Sequence, residues 1–170
     1  IPLNKNGTLD TESINDEKIS STKIISISHQ SNVFGTINPI KDIIDKVKNM
    51  SVITLIDGAQ AVPHLEVDLS ELDPDFYVFS GHKMLGPTGV GVLVGRTELL
   101  EGMDPFMGGG EMINKVSMQE ATWNDIPWKF EAGTPKVAQV IGLGAAINYL
   151  MNIGLDNVHS HEQSLLRYTL

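Results

Sequence analysis

Lys83 is the residue whose type and position most directly suggest chemistry. It ends the tetrapeptide SGHK at 80–83, which follows the nearly all-apolar run FYVF at 76–79. Such a run predicts a buried strand of a parallel sheet, and open α/β sheets bind ligands at the carboxyl ends of their strands. An amine at this point could act as a nucleophile toward a carbonyl carbon. An ordinary solvated loop lysine would explain the same residue, because most lysines are exposed.

Two other predicted strands also end in polar clusters. KIISIS at 23–28 precedes HQSN at 29–32, and SVITLI at 51–56 precedes DGAQ at 57–60. Because parallel strands end at the same edge of a sheet, the three polar clusters should line one crevice. Partial burial of the charged Asp57 and Lys83 side chains at the ends of buried strands would cost solvation free energy. Their presence there therefore indicates a functional role.

A lysine and an aspartate in one crevice suit pyridoxal 5′-phosphate (PLP). The amine can form an imine with the PLP aldehyde, and a carboxylate can keep the pyridine nitrogen protonated so that the ring accepts electrons. Asp57 could supply that carboxylate, Gln60 could donate to the phenolate oxygen, and Ser80 with His82 could bind the phosphate. Gln60 as a surface amide, Ser80 as a turn residue and His82 as a structural histidine are the competing explanations.

The loop GPTGVG at 86–91 resembles part of a nucleotide-binding fingerprint. P-loops and Rossmann loops run from a strand into a helix whose N-terminus meets the phosphate. Here the glycines lead into VGVLVG at 90–95, a β-rich apolar run. Nucleotide binding is therefore not predicted.

The elements that must position these residues are those of an α/β protein with a mostly parallel, mixed sheet flanked by helices. Strands are predicted at 23–28, 51–56, 76–79 and 90–94. A helix is predicted over 40–50, with Asn38 as N-cap and Pro39 as the first helical residue. Its buried stripe should consist of the four residues at helical spacing, Ile40, Ile43, Ile44 and Val47.

A long helix is predicted over 135–152, capped by Thr134. Its inward residues should be Val137, Val140, Ile141, Ile147 and Leu150, with small residues at 142 and 144–146 that allow close packing. Gly154 should end this helix, and another should begin at about residue 155. Shorter helical segments are predicted within 10–19, 67–72 and 97–102, and residues 111–130 should be irregular.

The composition limits the possible partners. The chain has 170 residues, 41% of them apolar, and a net charge of -9, which argues against nucleic acid and anionic membranes. No run of 18 apolar residues supports a transmembrane helix. The sequence has no cysteine, which excludes disulfides and thiolate metal sites, and no metal site is predicted. The first residues do not resemble a signal peptide, and a cytoplasmic location is expected.

Several spaced motifs resemble the cysteine desulfurases of the SufS type, within the class V aminotransferase family. They are SNVFGTINP at 31–39, DGAQ, SGHK with GPTGVG after it, GGGEMI at 108–113 and FEAGTP at 130–135. The resemblance covers residues 23–170. It implies the large domain of the aspartate-aminotransferase-like PLP fold (fold type I), a homodimer with active sites at the interface, and conversion of L-cysteine to L-alanine. The sulfur would be held as an enzyme persulfide for iron-sulfur cluster assembly, which adds a sulfur-acceptor protein as partner.

The same resemblance assigns roles to individual residues. Lys83 matches the lysine that forms the imine with PLP, Asp57 the partner of the pyridine nitrogen, and Gln60 the partner of the phenolate oxygen. Ser80 and His82 match ligands of the phosphate.

Two further residues complete this set. Asn32 matches a residue that contacts the substrate carboxylate and the cofactor, and Thr134 matches a phosphate ligand that reaches the neighbouring subunit's site. Nothing here matches the family's earlier phosphate loop and ring-stacking histidine, or its later persulfide cysteine and substrate arginine. We therefore expect 1–170 to be a partial PLP-binding large domain, truncated at both ends, that lacks the C-terminal small domain and is inactive alone.

Two alternatives stay open at this point. Another class V enzyme, such as an aminotransferase, a selenocysteine lyase or a kynureninase-like hydrolase, would share the same cofactor-binding residues. A non-catalytic fragment that binds nothing tightly would also contain the motifs. A yellow absorption band from bound PLP separates the second alternative from an enzyme.

Overall fold

A computed structural model describes residues 1–170, except for the side chain of Asp16. One sheet contains four strands in the order β1-β2-β3-β4, namely β1 Ile24–Ser28, β2 Ile53–Asp57, β3 Phe76–Ser80 and β4 Gly91–Gly95. β1, β2 and β3 are parallel, and β4 is antiparallel to β3. The predicted mostly parallel, mixed sheet is confirmed.

The described residues form six α-helices in addition to the strands. They are α1 Asp16–Ser20, α2 Ile40–Val47, α3 Leu69–Leu72, α4 Thr97–Gly102, α5 Val137–Ile153 and α6 Leu155–Thr169. Three short 3-10 helices lie at Thr11–Ser13, Gly81–Met84 and Trp128–Phe130. The helical segments predicted within 10–19, 67–72 and 97–102 are confirmed.

One face of the sheet carries the main core, and α2 covers it. Ile27, Ile56 and Tyr77 are register partners on neighbouring strands, so their side chains lie in a row on this face. The buried stripe of α2, formed by Ile40, Ile43, Ile44 and Val47 as predicted, packs onto the sheet, and the first three of these contact that row.

The predicted start of α2 at residue 40 is confirmed, but its predicted cap and its predicted end were wrong. The cap position is Pro39, not Asn38, and the helix ends at Val47 rather than at residue 50. The Asn38 Nδ2 instead donates a hydrogen bond of 2.7 Å to the carbonyl oxygen of Ser28. The side chain that was expected to cap the helix therefore fixes the loop to the end of β1.

The prediction for the face of α5 was partly wrong. Val137, Val140 and Ile141 are each more than half exposed, whereas Leu143, Ala146 and Leu150 are buried. Leu143 and Leu150 form a second core cluster with Met84, which Ile147 joins as predicted. An apolar residue occupies almost every side of α5, so helical periodicity alone does not identify its buried face.

Of the two ends of α5, only the C-terminal end agrees with the prediction. The helix begins at Val137 with Lys136 at the cap position, so Thr134 is not its cap. Gly154, whose φ is +84°, separates α5 from α6 as predicted. Among the described residues, no single helix has both the length and the hydropathy of a membrane span. Helices α5 and α6 meet these two criteria only when they are counted together, across a bend of 73°.

Residues 111–130 contain a hairpin that was not predicted. β5 Ile113–Val116 pairs antiparallel with β6 Ala121–Trp123. Both strands are short and carry polar residues such as Asn114 and Thr122, so neither shows the apolar run that marks β1 to β3.

Candidate active site

The carboxyl ends of the three parallel strands lie level with one another. Ser28 is the register partner of Asp57, and Asp57 is the partner of Val78. The ladder continues past the strands, since the His29 amide donates to the Asp57 carbonyl at 2.8 Å and the Gly58 amide donates to the Val78 carbonyl at 2.8 Å. The structure thus brings the backbones of HQSN, DGAQ and SGHK to one edge of the sheet.

Asp57 is the last residue of β2 and is half-buried. Its Oδ1 accepts a hydrogen bond of 2.9 Å from the amide of Ala59, which orients the carboxylate. Among the described residues, Oδ2 has no hydrogen-bond or ion-pair partner. One oxygen of this carboxylate is therefore hydrogen-bonded to the chain, and the other can accept a hydrogen bond from a ligand.

The turn after Asp57 contains Gln60, which is partly buried. The Gly58 carbonyl accepts hydrogen bonds from the amides of Ala61 and Val62, at 2.9 Å and 3.0 Å. Farther along, the Nδ1 of His64 lies 2.7 Å from the Glu162 carboxylate of α6, a contact that the sequence did not predict. The backbone that carries Gln60 is thus fixed by its own hydrogen bonds.

Lys83 lies in the 3-10 helix Gly81–Met84 that follows β3. Its side chain is exposed, whereas Met84 beside it is buried in the second core cluster. Within the described part of the chain, no hydrogen bond or ion pair engages the Lys83 amine. The anchored backbone fixes the position of the lysine, but these residues do not provide the desolvation that was expected for it.

A tight turn holds the segment around Lys83. The Gly86 amide donates to the Gly81 carbonyl at 2.9 Å, and the Gly81 amide donates to the Val90 carbonyl at 2.9 Å. A Cβ at Gly86 would lie 2.8 Å from the Gly81 carbonyl oxygen, which is too close for a side chain. Ser80 is partly buried at the start of this segment, and His82 is exposed.

A buried polar pair lies near Asp57, and the sequence did not reveal it. The Nδ1 of His29 and the hydroxyl of Tyr77 are 2.9 Å apart, and both side chains are buried. Burial lowers the pKa of His29 below its usual value. Burial raises the pKa of Tyr77, and the negative charge of Asp57 raises it further. Both side chains are consequently neutral at pH 7.

Asn32 and Thr134 lie in two loops, one after β1 and the other before α5. Asn32 is exposed in the loop after β1 and contributes to a cleft that Leu3 and Gly7 also line. Thr134 is exposed in the loop before α5. In the described structure, no hydrogen bond or ion pair joins either residue to Asp57 or Lys83. Their predicted roles stay predictions.

The donor set at the sheet edge fits PLP. In the described structure, Lys83 offers an amine without a protein partner, and Asp57 offers a carboxylate oxygen that can accept a hydrogen bond from the pyridine nitrogen. Ser80 and His82 offer a hydroxyl and an imidazole beside the lysine. These are the groups that a PLP site combines, namely a nucleophilic amine, a partner of the ring nitrogen and polar donors.

Residues 1–170 match the family model of aminotransferase class V. The chain belongs to this family. It is 51% identical over 170 residues to a protein named probable cysteine desulfurase from Halalkalibacterium halodurans, covering 100% of this chain and 42% of that protein. The crystal structure of the cysteine desulfurase CsdA from Escherichia coli superposes with a TM-score of 0.89 at 41% identity, covering 96% of this chain and 41% of that chain.

A third similarity includes the cofactor. A variant of the protein C-DES, solved with glycine covalently linked to its PLP cofactor, matches with a TM-score of 0.73 at 27% identity, covering 88% of this chain and 40% of that one. This chain spans about two fifths of the length of the relatives it matches. The predicted class V aminotransferase family and its PLP fold are confirmed.

Proposed function

We propose that this chain supplies the PLP-binding part of a cysteine desulfurase of the SufS type. The substrate would be L-cysteine, the products L-alanine and a persulfide on an enzyme thiol, and the sulfur would pass to an acceptor protein for iron-sulfur cluster assembly. The similarity to proteins named cysteine desulfurases supports the choice of this reaction within the class V family. The chain alone is expected to be inactive.

The observation that carries this proposal is the alignment of β2 and β3. Their register places the turn after Asp57 beside the segment that carries Lys83, at the edge where a parallel sheet binds ligands. A carboxylate and an amine at neighbouring strand ends are the two protein groups that PLP chemistry requires most.

Each residue would have a separate task. Lys83 would bind the cofactor covalently through Nζ and, once released from it, move the proton of the substrate Cα as general base. Asp57 would hold the proton on the pyridine nitrogen, and Gln60 would donate to the phenolate oxygen. Ser80 and His82 would bind the phosphate. Bound PLP would supply an electron sink for the negative charge that develops at the substrate.

The proposed reaction balances without an external oxidant or reductant. The bond between Cβ and sulfur of cysteine breaks, the sulfur atom joins the thiol as a persulfide, and protons complete alanine. This chain has no cysteine, so that thiol would have to come from outside residues 1–170. Asn32 would contact the substrate carboxylate and the cofactor.

We also propose a homodimer in which Thr134 reaches the phosphate of the neighbouring subunit's site. The surface next to Thr134 is suited to contact with a second subunit, since Trp128, Val137, Val140 and Ile141 expose more than half of their area. Apolar patches of this kind mark interfaces. Ile141→Glu in the full-length protein should produce monomers in sedimentation analysis, whereas the control Met50→Glu, in the loop after α2, should leave the dimer intact.

The reaction is tested with the full-length protein loaded with PLP. Incubation with L-cysteine should yield alanine and enzyme-bound sulfur in equal amounts. L-Selenocysteine, L-kynurenine and an amino acid with a keto-acid acceptor, supplied separately, test the other class V reactions. Transfer of the amino group to the keto acid without release of sulfur from cysteine would contradict the proposal.

A further inference from the structure

The buried pair of His29 and Tyr77 spans the strand that carries Asp57. His29 directly follows β1 and Tyr77 lies in β3, so their hydrogen bond of 2.9 Å crosses the end of β2. The rings meet edge to face, with centroids 6.1 Å apart. The exposed fractions of His29 and Tyr77 are 9% and 1%, so water does not compete for this contact.

The same two residues contact the peptide that follows Asp57. The His29 amide donates to the Asp57 carbonyl at 2.8 Å. The Tyr77 ring packs directly against Gly58, where a Cβ would lie 2.1 Å from the ring. The next amide, that of Ala59, is the donor that orients the Asp57 carboxylate. A shift of the Tyr77 ring would therefore move Gly58, then Ala59, and then the carboxylate.

The electrical neutrality of the pair matters for a carboxylate that must engage a ligand. Burial favours neutral His29, and burial together with the charge of Asp57 favours neutral Tyr77. A lysine or arginine in this place would form an ion pair with Asp57 and compete with a ligand for it. The neutral pair can fix the backbone and leave the negative charge of Asp57 available.

We propose that the hydrogen bond between His29 and Tyr77 is a positioning device that holds the Asp57 carboxylate in the orientation required by the pyridine nitrogen of PLP. This inference rests on the proposed function. It makes His29 and Tyr77 positioning residues, since they act on the cofactor through Asp57. In metal sites, outer partners that orient a ligand contribute roughly 10- to 100-fold to affinity or activity, and we expect an effect at the lower end of that range here.

The test uses the full-length enzyme loaded with PLP. Tyr77→Phe keeps the ring against Gly58 and removes only the hydroxyl. The matched control is Thr54→Val, which removes a buried hydroxyl from the same strand as Asp57, where it bonds Asp75 at 3.0 Å. The measurements are the pH titration of the visible cofactor band without substrate, kcat and KM, and the denaturant midpoint.

Tyr77→Phe should shift the pH at which the cofactor band changes and lower kcat about 10-fold with little change in KM. Thr54→Val should lower only the denaturant midpoint. His29→Gln retains an amide that can bond the Tyr77 hydroxyl and should show a smaller shift of the same band. If Tyr77→Phe does not fold, the same measurements on His29→Gln test the proposal instead.

Two results would overturn the inference, and they are distinguishable. A cofactor titration in Tyr77→Phe equal to that of the wild type, or an equal shift in Thr54→Val, would reduce the pair to an ordinary core contact while leaving the proposed function intact. A wild-type enzyme that shows no visible band with PLP would refute the proposed function, and this inference with it.

Discussion

The ring of Tyr77 occupies the space that any side chain at residue 58 would need. A Cβ at Gly58 would lie 2.1 Å from Cε1 of Tyr77 and 2.2 Å from its hydroxyl oxygen. Because β2 and β3 are held in register on both sides of this contact, neither residue can withdraw without disturbing the sheet. Gly58 is therefore required by packing rather than by an unusual backbone angle.

Gly58→Ala should destabilise the full-length apoprotein by about 1–3 kcal/mol, the usual cost of overpacking a core. Tyr77→Val should partly relieve this cost, so the double variant should be more stable than the sum of the two single changes predicts. Urea denaturation measures each free energy of unfolding. Gly102→Ala is the control, since nothing lies within 4 Å of a Cβ there, and strict additivity at 58 and 77 would contradict the packing argument.

The sheet could be predicted from the sequence because its strands are short apolar runs bounded by polar turns. The buried stripe of α2 could also be predicted, because Ile40, Ile43, Ile44 and Val47 recur at helical spacing between charged residues. The inward face of α5 was not, because apolar side chains surround that helix. The hairpin of β5 and β6 was missed because its strands are short, largely exposed and interrupted by polar residues such as Asn114 and Thr122.

Asp57→Asn in the full-length enzyme should leave the fold intact and lower turnover by roughly 10²–10³-fold, the usual cost of losing one electrostatic contact to developing charge. A neutral amide cannot keep the pyridine nitrogen protonated, although its oxygen can still accept from the Ala59 amide. Steady-state kinetics with L-cysteine give the turnover, and circular dichroism checks the fold. Undiminished turnover would remove Asp57 from the mechanism.

His29 should make the stability of the protein depend on pH below about 6.5, the usual pKa of an unfolded histidine. Burial lowers the pKa of His29 in the folded state, so the unfolded state binds a proton first as the pH falls. Stability should be fully present above about pH 6.5 and decline between there and the lowered folded pKa.

The denaturant midpoints at pH 7.5 and pH 5.5 measure this loss of stability. Wild-type protein should lose more than His29→Gln, whose amide does not titrate, while the other histidines contribute equally to both proteins. An equal loss in the two proteins would show that His29 is not buried in its neutral form.

The candidate site could be predicted only where it follows from strand ends. Asp57 and Ser80 come directly after predicted strands and Lys83 follows Ser80 by three residues, so parallel pairing was enough to place their backbones at one edge. The contact between His29 and Tyr77 joins residues 48 positions apart and depends on the exact register of three strands. The roles of all seven candidate residues, Asn32 and Thr134 among them, and the cytoplasmic location stay predictions.

Lys83 is the residue proposed to bind PLP covalently. Arginine keeps the charge and approximate length of lysine but cannot form an imine. Lys83→Arg should therefore lose the visible cofactor band in full-length protein that otherwise binds PLP, whereas the control Lys41→Arg, an exposed residue of α2 paired with Asp45, should keep it.

Borohydride reduction of the full-length holoenzyme, followed by peptide mapping with mass spectrometry, tests this claim most directly. Reduction makes the bond between cofactor and lysine permanent, so the labelled peptide identifies the residue. The expected result is a single pyridoxyl label on Lys83, in the peptide that contains SGHK. A label on any other lysine, with Lys83 unmodified, would contradict it.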